Sequence, residues 1–334
     1  MSEGVMPMDY IVLDMEWNQP WPGSPSARKA LPIHGEILQI GAVRLPDGGG
    51  PADEFQLLVK PQFYKRINRK VQSLTGIREA RVKAEGVEFD EAMRHFRDWC
   101  GTDVIFLTWG FDDIMILREN LAIHNLPADW VLNWYNAQLM FNAQTDGSTN
   151  QKALGTALEQ LGIEPSRQAH DALGDAYHTA LICARLDLTR GVAEYSRASK
   201  QHEDGFHGAE LPGCAERRVF HGLRDKADAL ARFSGRENVC PVCGKPMSAG
   251  RWISQPGRRY MTMAECPEHG SYLIRIRLQQ EEDETFRVSR LLYEGTSEAA
   301  RAYERAAARP QKRRPRRRPA RKKAPKPAVP REDE

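Results

Sequence analysis

Three short apolar runs near the start of the chain limit its possible folds more than any other feature. Residues 10–13 form a run that ends at Asp14, residues 36–45 form a second run, and residues 55–59 form a third. Runs of this length favour β-strands. The glycine-rich stretch at residues 47–50 also makes a hairpin between the second and third strands plausible.

The pattern changes after the third run to an alternation of helices and strands. Apolar residues spaced three or four positions apart indicate helices, and continuous apolar runs indicate buried strands. Three early strands followed by such an alternation describe an α/β layer fold with a mixed sheet. The later predicted elements are a helix over residues 89–99, a strand over 104–108, a helix over 114–124, a strand over 131–137, and helices over 151–161 and 171–188.

The length of 334 residues is more than one hydrophobic core usually serves, so we expect separate domains. We place the α/β domain at residues 8–192, a linker with a possible helix at 193–236, and a small cysteine-containing module at 237–295. Residues 309–334 are rich in Pro, Arg and Lys. This tail cannot bury enough apolar surface to fold alone, and we expect it to be disordered.

Charge is distributed unevenly along the chain. The segment 309–334 contains 12 Lys and Arg against 3 Asp and Glu, a net charge of +9. Because the whole chain carries +3, the rest of the chain carries −6. An acidic body with a basic tail indicates a polyanionic partner, whose phosphates the tail would contact without reading sequence. A basic tail can also serve solubility alone.

Nothing in the sequence indicates export or insertion into a membrane. No run approaches the roughly 18 apolar residues that cross a bilayer. The first residues, Met1-Ser2-Glu3-Gly4, lack the basic and apolar regions of a secretory signal. We therefore expect a cytoplasmic protein with no membrane partner.

Acidic residues lie at the ends of three predicted elements. Asp14 and Glu16 end the first strand, where alternation lets both carboxylates face one site. Residues 109–113 (WGFDD) follow a buried strand and open a helix, and residues 170–175 (HDALGD) begin the last long helix. In α/β proteins, binding and catalytic sites commonly lie at the ends of the sheet strands. The alternative reading, that these residues are helix caps and surface charges, requires three coincidences of position.

Carboxylates gathered at one edge of a sheet suit the hydrolysis of a phosphodiester. Two divalent cations about 3.5 to 4 Å apart can activate a water molecule and stabilise the departing oxygen. Hard oxygen ligands hold such cations. Histidine side chains exchange protons near neutral pH, so His170 is a candidate to accept the proton of the attacking water.

These motifs resemble those of a known enzyme superfamily. The Asp14-x-Glu16 pair, the WGxxD of residues 109–113 and the HxxxxD of residues 170–175 are similar to the three exonuclease motifs of the DEDDh superfamily, which has a ribonuclease H-like fold. The most similar branch contains Eri-like RNA exonucleases and KapD-like sporulation inhibitors. It is matched through IVLDMEWNQ, EILQIGAVRL, LTGI and HDALGDAYHTA, so the resemblance covers about residues 8–190.

The resemblance implies a role for each motif residue. His170 would be the general base, and the WGxxD spacing favours Asp113 over Asp112 as a metal ligand. Asp112 would then be exposed or would cap the helix. The metal-holding carboxylates would be Asp14, Glu16, Asp113 and Asp175.

The resemblance also predicts the activity, a 3′-to-5′ exonuclease that uses two Mg²⁺ or Mn²⁺ ions. The enzyme would release nucleoside 5′-monophosphates from single-stranded 3′ ends, with RNA favoured on the resemblance alone. Two alternatives stay open. A DNA-directed exonuclease of the proofreading type would use the same five residues. A non-catalytic nucleic-acid-binding or regulatory protein would instead use the cysteine module and the tail.

Four apolar side chains near the motifs are candidates to contact the terminal nucleotides. Aromatic and apolar groups stack on the bases of single strands, but residues of these types more often belong to a core. Both readings stay open for Trp17, Leu74, Trp109 and Phe111.

Two short cysteine motifs in the C-terminal half predict a second metal site. Cys240 and Cys243 form a Cys-x-x-Cys knuckle, and Cys266 with His269 repeats the arrangement with histidine as the fourth ligand. The 22 residues between the knuckles suit a β-hairpin, so a zinc-ribbon-like Cys₃His site is predicted, with one structural Zn²⁺. A thioredoxin-like redox pair would need a βαβ context that is lacking. The role of the module could be to grip nucleic acid, to dock a protein or to support structure.

Overall fold

The computed structural model describes residues 8–20, 31–235 and 237–309, and the chain divides into a compact unit that ends at Ala209 and another that begins at Glu210. None of the helices in these ranges is long and apolar enough to cross a membrane. The strands of the first unit are β1 (Tyr10–Asn18), β2 (Glu36–Leu45), β3 (Asp53–Leu58), β4 (Ile105–Thr108) and β5 (Trp134–Asn136). Its helices are α1 (Arg69–Thr75), α2 (Glu79–Glu85), α3 (Phe89–Cys100), α4 (Asp112–Ile123), α5 (Ala137–Gln144), α6 (Leu154–Gln160), α7 (Ala172–Cys183), α8 (Leu188–Ala193) and α9 (Tyr195–Glu203), with 3₁₀ turns at Pro46–Gly48 and Asp129–Val131.

The strands of the first unit form one mixed sheet in the order β3-β2-β1-β4-β5. β2 is antiparallel to β1 and β3, whereas β4 is parallel to β1 and β5. Parallel neighbours need crossover connections, and these contain α3 and α4. The prediction of an α/β, ribonuclease H-like fold with a mixed sheet is confirmed. Because β1 and β4 are parallel, their carboxyl ends meet at one edge of the sheet.

Helices cover both faces of this sheet, and alternation along β1 decides which face each residue meets. Ile11 packs on one face with Phe96 of α3, and Val12 packs on the other face with Ala176 of α7. Since side chains alternate along a strand, Asp14 shares the face of Val12. The acidic end of β1 therefore points toward α7.

The first turn of α7 rests directly on β2 at Gly41. A Cβ atom at this position would lie 2.1 Å from the backbone nitrogen of Leu173 and 2.2 Å from the carbonyl carbon of Ala172. No side chain fits that space, so glycine is what lets the helix approach the strand. Gly41 is also the pairing partner of Asp14 across β1 and β2. The close contact therefore brings the start of α7, near Asp175, to the acidic end of β1.

The segment after β4 differs from its prediction. The strand expected over residues 131–137 is only Trp134–Asn136, and α5, which the sequence did not predict, follows at once. The Asn136 side chain accepts a hydrogen bond from the backbone N–H of Gln138 at 2.9 Å and so caps α5. The first six residues of this helix are all buried. A helix that is buried all round shows no amphipathic period, which is why the pattern did not reveal it.

The second unit is an antiparallel sheet with two helices. Its elements are β6 (Cys214–Leu223), α10 (Lys226–Ser234), β7 (Ser248–Ala249), β8 (Ile253–Gln255), β9 (Arg259–Cys266), β10 (Gly270–Gln280), β11 (Phe286–Glu294) and α11 (Ser297–Ala308). The sheet has the order β6-β11-β10-β9-β7, with β8 paired to β9 as the hairpin predicted between the cysteine knuckles. Phe233 packs with Ile274 and Val288 in its core.

Over residues 193–236, predicted as a linker with a possible helix, the structure has a helix and further folded elements. This stretch contains α9, β6 and α10, and α11 extends the second unit beyond the predicted end of the module at residue 295. Most of β6 is polar and exposed, and the strand is held by antiparallel pairing with the distant β11. A local pattern cannot reveal such a partner. The tail predicted at residues 309–334 lies, apart from Arg309, outside the described residues.

We predict that Gly41→Ala lowers the free energy of unfolding by about 3 kcal/mol or more, because the methyl group meets helix backbone that cannot rotate away. Gly155→Ala in α6 is the matched control, since its Cβ would meet nothing within 4 Å. This control should be neutral or stabilising by about 0.5 to 1 kcal/mol. Urea unfolding measures both variants. A loss below about 1 kcal/mol for Gly41→Ala would contradict the close approach of α7 to β2.

Candidate active site

The carboxylates of Asp14 and Glu16 lie at the carboxyl end of β1. Both residues are half-buried, and they alternate with Leu13 and Met15, which are buried on the opposite face. Pairing between β1 and β2 shifts register between Glu16 and Trp17. The regular ladder is therefore interrupted next to the second carboxylate, as is common beside functional sites.

Asp113 reaches the same place from the start of α4. The backbone N–H of Met15, between the two β1 carboxylates, donates a hydrogen bond to Oδ1 of Asp113 at 2.9 Å. Asp113 is buried, whereas the neighbouring Asp112 is exposed. The N-cap of α4 is Phe111, so Asp112 is the first helical residue rather than the cap. The structure thus brings Asp113 against β1 and leaves Asp112 exposed at the border of the same cavity.

His170 and Asp175 enter from the start of α7. Asp171 caps this helix by accepting a hydrogen bond from the Gly174 N–H at 3.1 Å. His170 precedes the cap with a φ of 59°, a conformation that costs free energy for residues other than glycine. Its backbone N–H donates to Oδ2 of Asp175 at 2.9 Å. The strained turn leaves the His170 side chain exposed beside the Asp175 carboxylate.

All five residues that the sequence singled out line one cavity of about 570 Å³. The walls also include the four predicted apolar contacts, among which Leu74 is 54% exposed. Trp109 contributes differently, because its indole packs against Phe141 and its N–H donates to the Lys152 carbonyl at 2.9 Å. Of these two side chains, Leu74 is the one free to contact a ligand.

Part of the cavity wall was not foreseen from the sequence. Gln138 and Lys152 line the cavity, and the Gln138 amide donates to the Lys152 carbonyl at 2.8 Å. The Lys152 ammonium is engaged by Asp146 at 2.7 Å. No motif marks these residues, because the wall forms only when α5 and the segment before α6 come together. The polar cap residue Asn136 was the one available indication that a helix begins there.

Burial and mutual repulsion raise the pKa values of the clustered carboxyls. Burial is the main cause for Asp14, whose pKa is well above its usual range, and the charges of Asp113 and Asp175 add to it. The pKa of Glu16 rises to about 7 for the same reasons. Burial also raises the pKa of Asp113 to about 7, although the Met15 N–H opposes the shift. The cluster thus holds more negative charge than its surroundings stabilise.

Such a cluster is suited to divalent cations. Glu16, His170 and Asp175 offer ligand atoms that all lie within 4.8 Å of one another. Carboxylate oxygens are the ligands that hard cations prefer, and a bound cation would remove the repulsion that raises these pKa values. Asp14 and Asp113 line the same cavity but do not belong to this group of mutually close ligand atoms.

The four residues of the cysteine motifs form a separate cluster in the second unit. The Sγ atoms of Cys243 and Cys266 are 3.8 Å apart, and His269 Nδ1 lies 3.7 Å from the Sγ atoms of Cys240 and Cys266. Ligand atoms about 2.0 to 2.3 Å from a tetrahedral metal ion lie roughly 3.5 to 3.8 Å from one another. These distances could therefore accommodate a four-coordinate ion.

Comparison with known proteins identifies relatives of the first unit. The exonuclease family model RNase_T matches residues 11–183, just over half of the chain. ERI1 exoribonuclease 2 of Homo sapiens is 27% identical over 189 residues, which cover 49% of this chain and 27% of the relative. The Xenopus laevis protein of the same name is 24% identical over 180 residues, covering 45% and 25%. The chain thus spans about a quarter of the length of the curated relatives it matches.

The chain was also compared with solved structures. The nuclease domain of 3′hExo, a DEDDh family member bound to rAMP, aligns with a TM-score of 0.48 at 23% identity. The alignment covers 56% of this chain and 94% of that chain.

We predict that the metal-free protein becomes less stable as the pH rises from about 5 to 8. Because the folded-state pKa values of Glu16 and Asp113 are about 7, above the values near 4 expected in the unfolded chain, the folded state binds more protons in this window. The stabilisation is fully present below about pH 4 and is lost as the pH rises through 7. Melting temperatures measured with and without Mg²⁺ should diverge toward pH 8.

Asp113→Asn is the control for this pH dependence, because it removes one crowded charge. Its metal-free melting temperature should fall less between pH 5 and 8 than that of the wild type. Equal pH slopes for the two proteins would show that the cluster is not the source of the dependence.

Proposed function

Because this chain belongs to the exonuclease family whose model spans residues 11–183, we propose that it is a 3′-to-5′ exonuclease of the DEDDh class. It would release nucleoside 5′-monophosphates from single-stranded 3′ ends. The observation that carries the proposal is the convergence of four carboxylates and one histidine in a single open cavity. A protein that only bound nucleic acid would gain nothing from four carboxylates facing a phosphate backbone, since like charges repel.

We assign the metal-holding role to the four carboxylates of the cavity. When bound, two divalent cations, Mg²⁺ or Mn²⁺, would polarise the phosphodiester and activate a water molecule. The donor set fits them, because it is made of oxygen atoms whose crowding a cation would relieve. The Met15 N–H fixes one oxygen of Asp113, and the His170 N–H fixes one oxygen of Asp175. Both aspartates line the cavity.

His170 is assigned as the general base. Its side chain is exposed at the cavity and lies within 4.8 Å of the carboxylate oxygens of Glu16 and Asp175. An imidazole in this position can take the proton of a water molecule as the water attacks phosphorus. The backbone bond to Asp175 sets the orientation from which it does so.

We propose single-stranded RNA as the favoured substrate. The matched relatives are named exoribonucleases, which supports RNA. Leu74 and Phe111 border the cavity beside the acidic cluster and can support the faces of unpaired terminal bases. A paired duplex end does not offer those faces, so a single-stranded 3′ end fits the cavity wall better.

The first test compares Asp14→Asn with Asp112→Asn on 5′-labelled RNA in Mg²⁺ or Mn²⁺. Asp14→Asn should slow shortening from the 3′ end by at least about 10²-fold, because one metal ligand is lost. Asp112→Asn should lose far less activity, because Asp112 borders the cavity but is exposed, whereas Asp113 is buried and accepts the Met15 N–H. Gel ladders read over time give both rates.

Two outcomes would overturn the assignment. Equal degradation by wild type and Asp14→Asn would show that the activity arises elsewhere. A larger loss of activity in Asp112→Asn would assign the metal-ligand role to Asp112 instead of Asp113. Competition between labelled RNA and DNA strands of equal sequence decides the substrate. Faster loss of the DNA strand would favour the proofreading-type alternative.

We infer that the second unit binds one structural Zn²⁺ through Cys240, Cys243, Cys266 and His269. The donor types suit zinc, and four protein ligands leave no open position for catalysis. Burial raises the pKa of the Cys240 thiol, but hydrogen bonds from the Cys243 and Val242 N–H groups and the Tyr272 hydroxyl lower it to about 6. At Cys243 the backbone hydrogen bond from Lys245 lowers the pKa, but burial and the hydrogen bonds with Cys240 and Cys266 raise it overall. The Cys240 thiolate is therefore available at neutral pH, and the proton of Cys243 would leave as the metal ion binds.

The zinc assignment predicts that Cys243→Ser loses the stoichiometric zinc of the wild type and unfolds at a temperature about 10 °C lower or more. Cys214→Ser is the control, because this thiol of the same unit is exposed and lies outside the cluster. Elemental analysis and calorimetry measure the two effects. Full zinc occupancy in Cys243→Ser would refute the Cys₃His site.

A further inference from the structure

A cluster of exposed cations lies on the segment that leads into α1. We call residues 65–70 the basic segment; its exposed members are Lys65, Arg66, Arg69 and Lys70. In the described part of the chain, none of these four side chains forms an ion pair. Their charge stands out because the chain before residue 309 carries a net charge of −6. Within the segment the Glu79 carboxylate accepts a hydrogen bond from the Ile67 N–H at 3.0 Å, so one negative charge lies against four positive ones. A cluster with a net positive charge attracts polyanions.

A buried side chain of β1 fixes the basic segment beside the catalytic carboxylates. Asn18, the last residue of β1, is fully buried, and its Nδ2 donates to the carbonyls of Tyr64 at 2.8 Å and Arg66 at 3.0 Å. Its Oδ1 accepts from the Asn68 N–H at 2.9 Å. Asn18 lies two residues beyond Glu16, which is about 7 Å along a strand. The segment is therefore attached to the same strand that carries Asp14 and Glu16.

A second buried group fixes the chain just before the basic segment. The Glu36 carboxylate accepts hydrogen bonds from the backbone N–H groups of Gln62, Phe63 and Tyr64. Two buried side chains from neighbouring strands thus hold this stretch in place. Because the backbone is already ordered, binding a ligand there would cost less conformational entropy than on a mobile loop.

Helix α1 connects the basic segment to the active-site cavity. Asn68 caps the helix by accepting from the Lys70 N–H at 3.0 Å. Val71, Leu74 and Thr75 of this helix line the cavity. Lys70 precedes Leu74 by four residues, so the two lie on the same side of the helix one turn apart. The cationic surface therefore begins where the cavity wall ends.

The cavity itself has little positive charge to offer a nucleic acid strand. Lys152 is among its lining residues, but its ammonium is engaged by Asp146 at 2.7 Å and by Gln160 at 2.8 Å. A strand whose terminal nucleotide lies in the cavity must continue outward past the rim. Its next phosphates then need cations outside the acidic cluster, and the exposed Arg69 and Lys70 of α1 lie next to the residues that line the cavity.

We propose that the basic segment binds the phosphate backbone of a single strand on the 5′ side of the bond that is cut. The strand would run from the cavity over Leu74 and along Lys70 and Arg66. The direction given to the strand rests on the proposed 3′-to-5′ exonuclease function. Contacts of this kind are sequence-independent and add affinity and salt dependence rather than chemistry.

The test replaces two of these cations in the variant Arg66→Gln/Lys70→Gln. The probes are a fluorescent single strand of about 12 nucleotides, within the range that such surfaces bind, and a dinucleotide. For the longer strand KM should rise about tenfold with kcat unchanged. The dinucleotide has no phosphate beyond the bond that is cut, so its kcat/KM should stay at the wild-type value.

Binding is also measured without cleavage, by fluorescence anisotropy in an Asp14→Asn background with Mg²⁺. Removing two phosphate contacts should weaken binding about tenfold and reduce the slope of log affinity against log salt by about 1.4. The control Arg94→Gln/Arg97→Gln removes equal charge from exposed positions of α3, which line a different cavity. This control should change neither readout.

The outcomes separate the segment from the proposed function. The inference would be overturned if Arg66→Gln/Lys70→Gln kept the wild-type affinity and KM. It would also be overturned if kcat/KM fell equally for the dinucleotide, or if the control variant lost as much affinity. If the wild type cleaves neither probe but the variant still loses affinity and salt dependence, the exonuclease proposal fails while the binding surface stands.

Discussion

The crowding of four carboxylates in one partly buried cavity is the constraint on which the rest of the first unit depends. Burial raises the free energy of each ionised carboxylate, and each neighbour adds repulsion, so the pKa of Glu16 reaches about 7. A fold tolerates this only if other interactions hold the groups together. The sheet supplies them, because the parallel β1 and β4 end at one edge and Met15 donates its N–H to Asp113 across that edge.

The start of α7 completes the cluster through contacts that a single residue type makes possible. Gly41 lets the helix backbone lie against β2, and Gln39 donates to Asp171 at 2.8 Å while accepting from the Ala172 N–H at 3.2 Å. With the helix start fixed on the strand, His170 is held in its left-handed conformation. The conformational cost at this turn is therefore offset by packing and hydrogen bonds next to it, as expected for strain at a functional site.

The sequence predicted those parts of the fold that are encoded locally. The strands that became β1, β2 and β4 follow from short apolar runs, and WGxxD spacing favoured Asp113, which the structure places against β1. Two kinds of feature were not predicted from the sequence. The first six residues of the helix Ala137–Gln144 are all buried, so it shows no period, and β6 is a polar strand that depends on pairing with β11. The cavity wall at Lys152 was not predicted either, because only tertiary contacts create it.

The oxygen cluster and the sulfur cluster differ in how they hold protons, and this difference bears on the roles proposed for them. In the oxygen cluster the pKa values of Glu16 and Asp113 are about 7, so protons would compete with a cation near neutral pH. In the sulfur cluster the pKa of Cys240 is lowered to about 6 and that of Cys243 is raised, so one thiolate is present before a metal ion binds and the other would form as it binds. With the ions proposed above, occupancy of the first cluster should follow the free cation concentration, whereas the second should stay filled in the folded protein. Exchangeable cations suit catalysis, and a permanent ion suits a structural support.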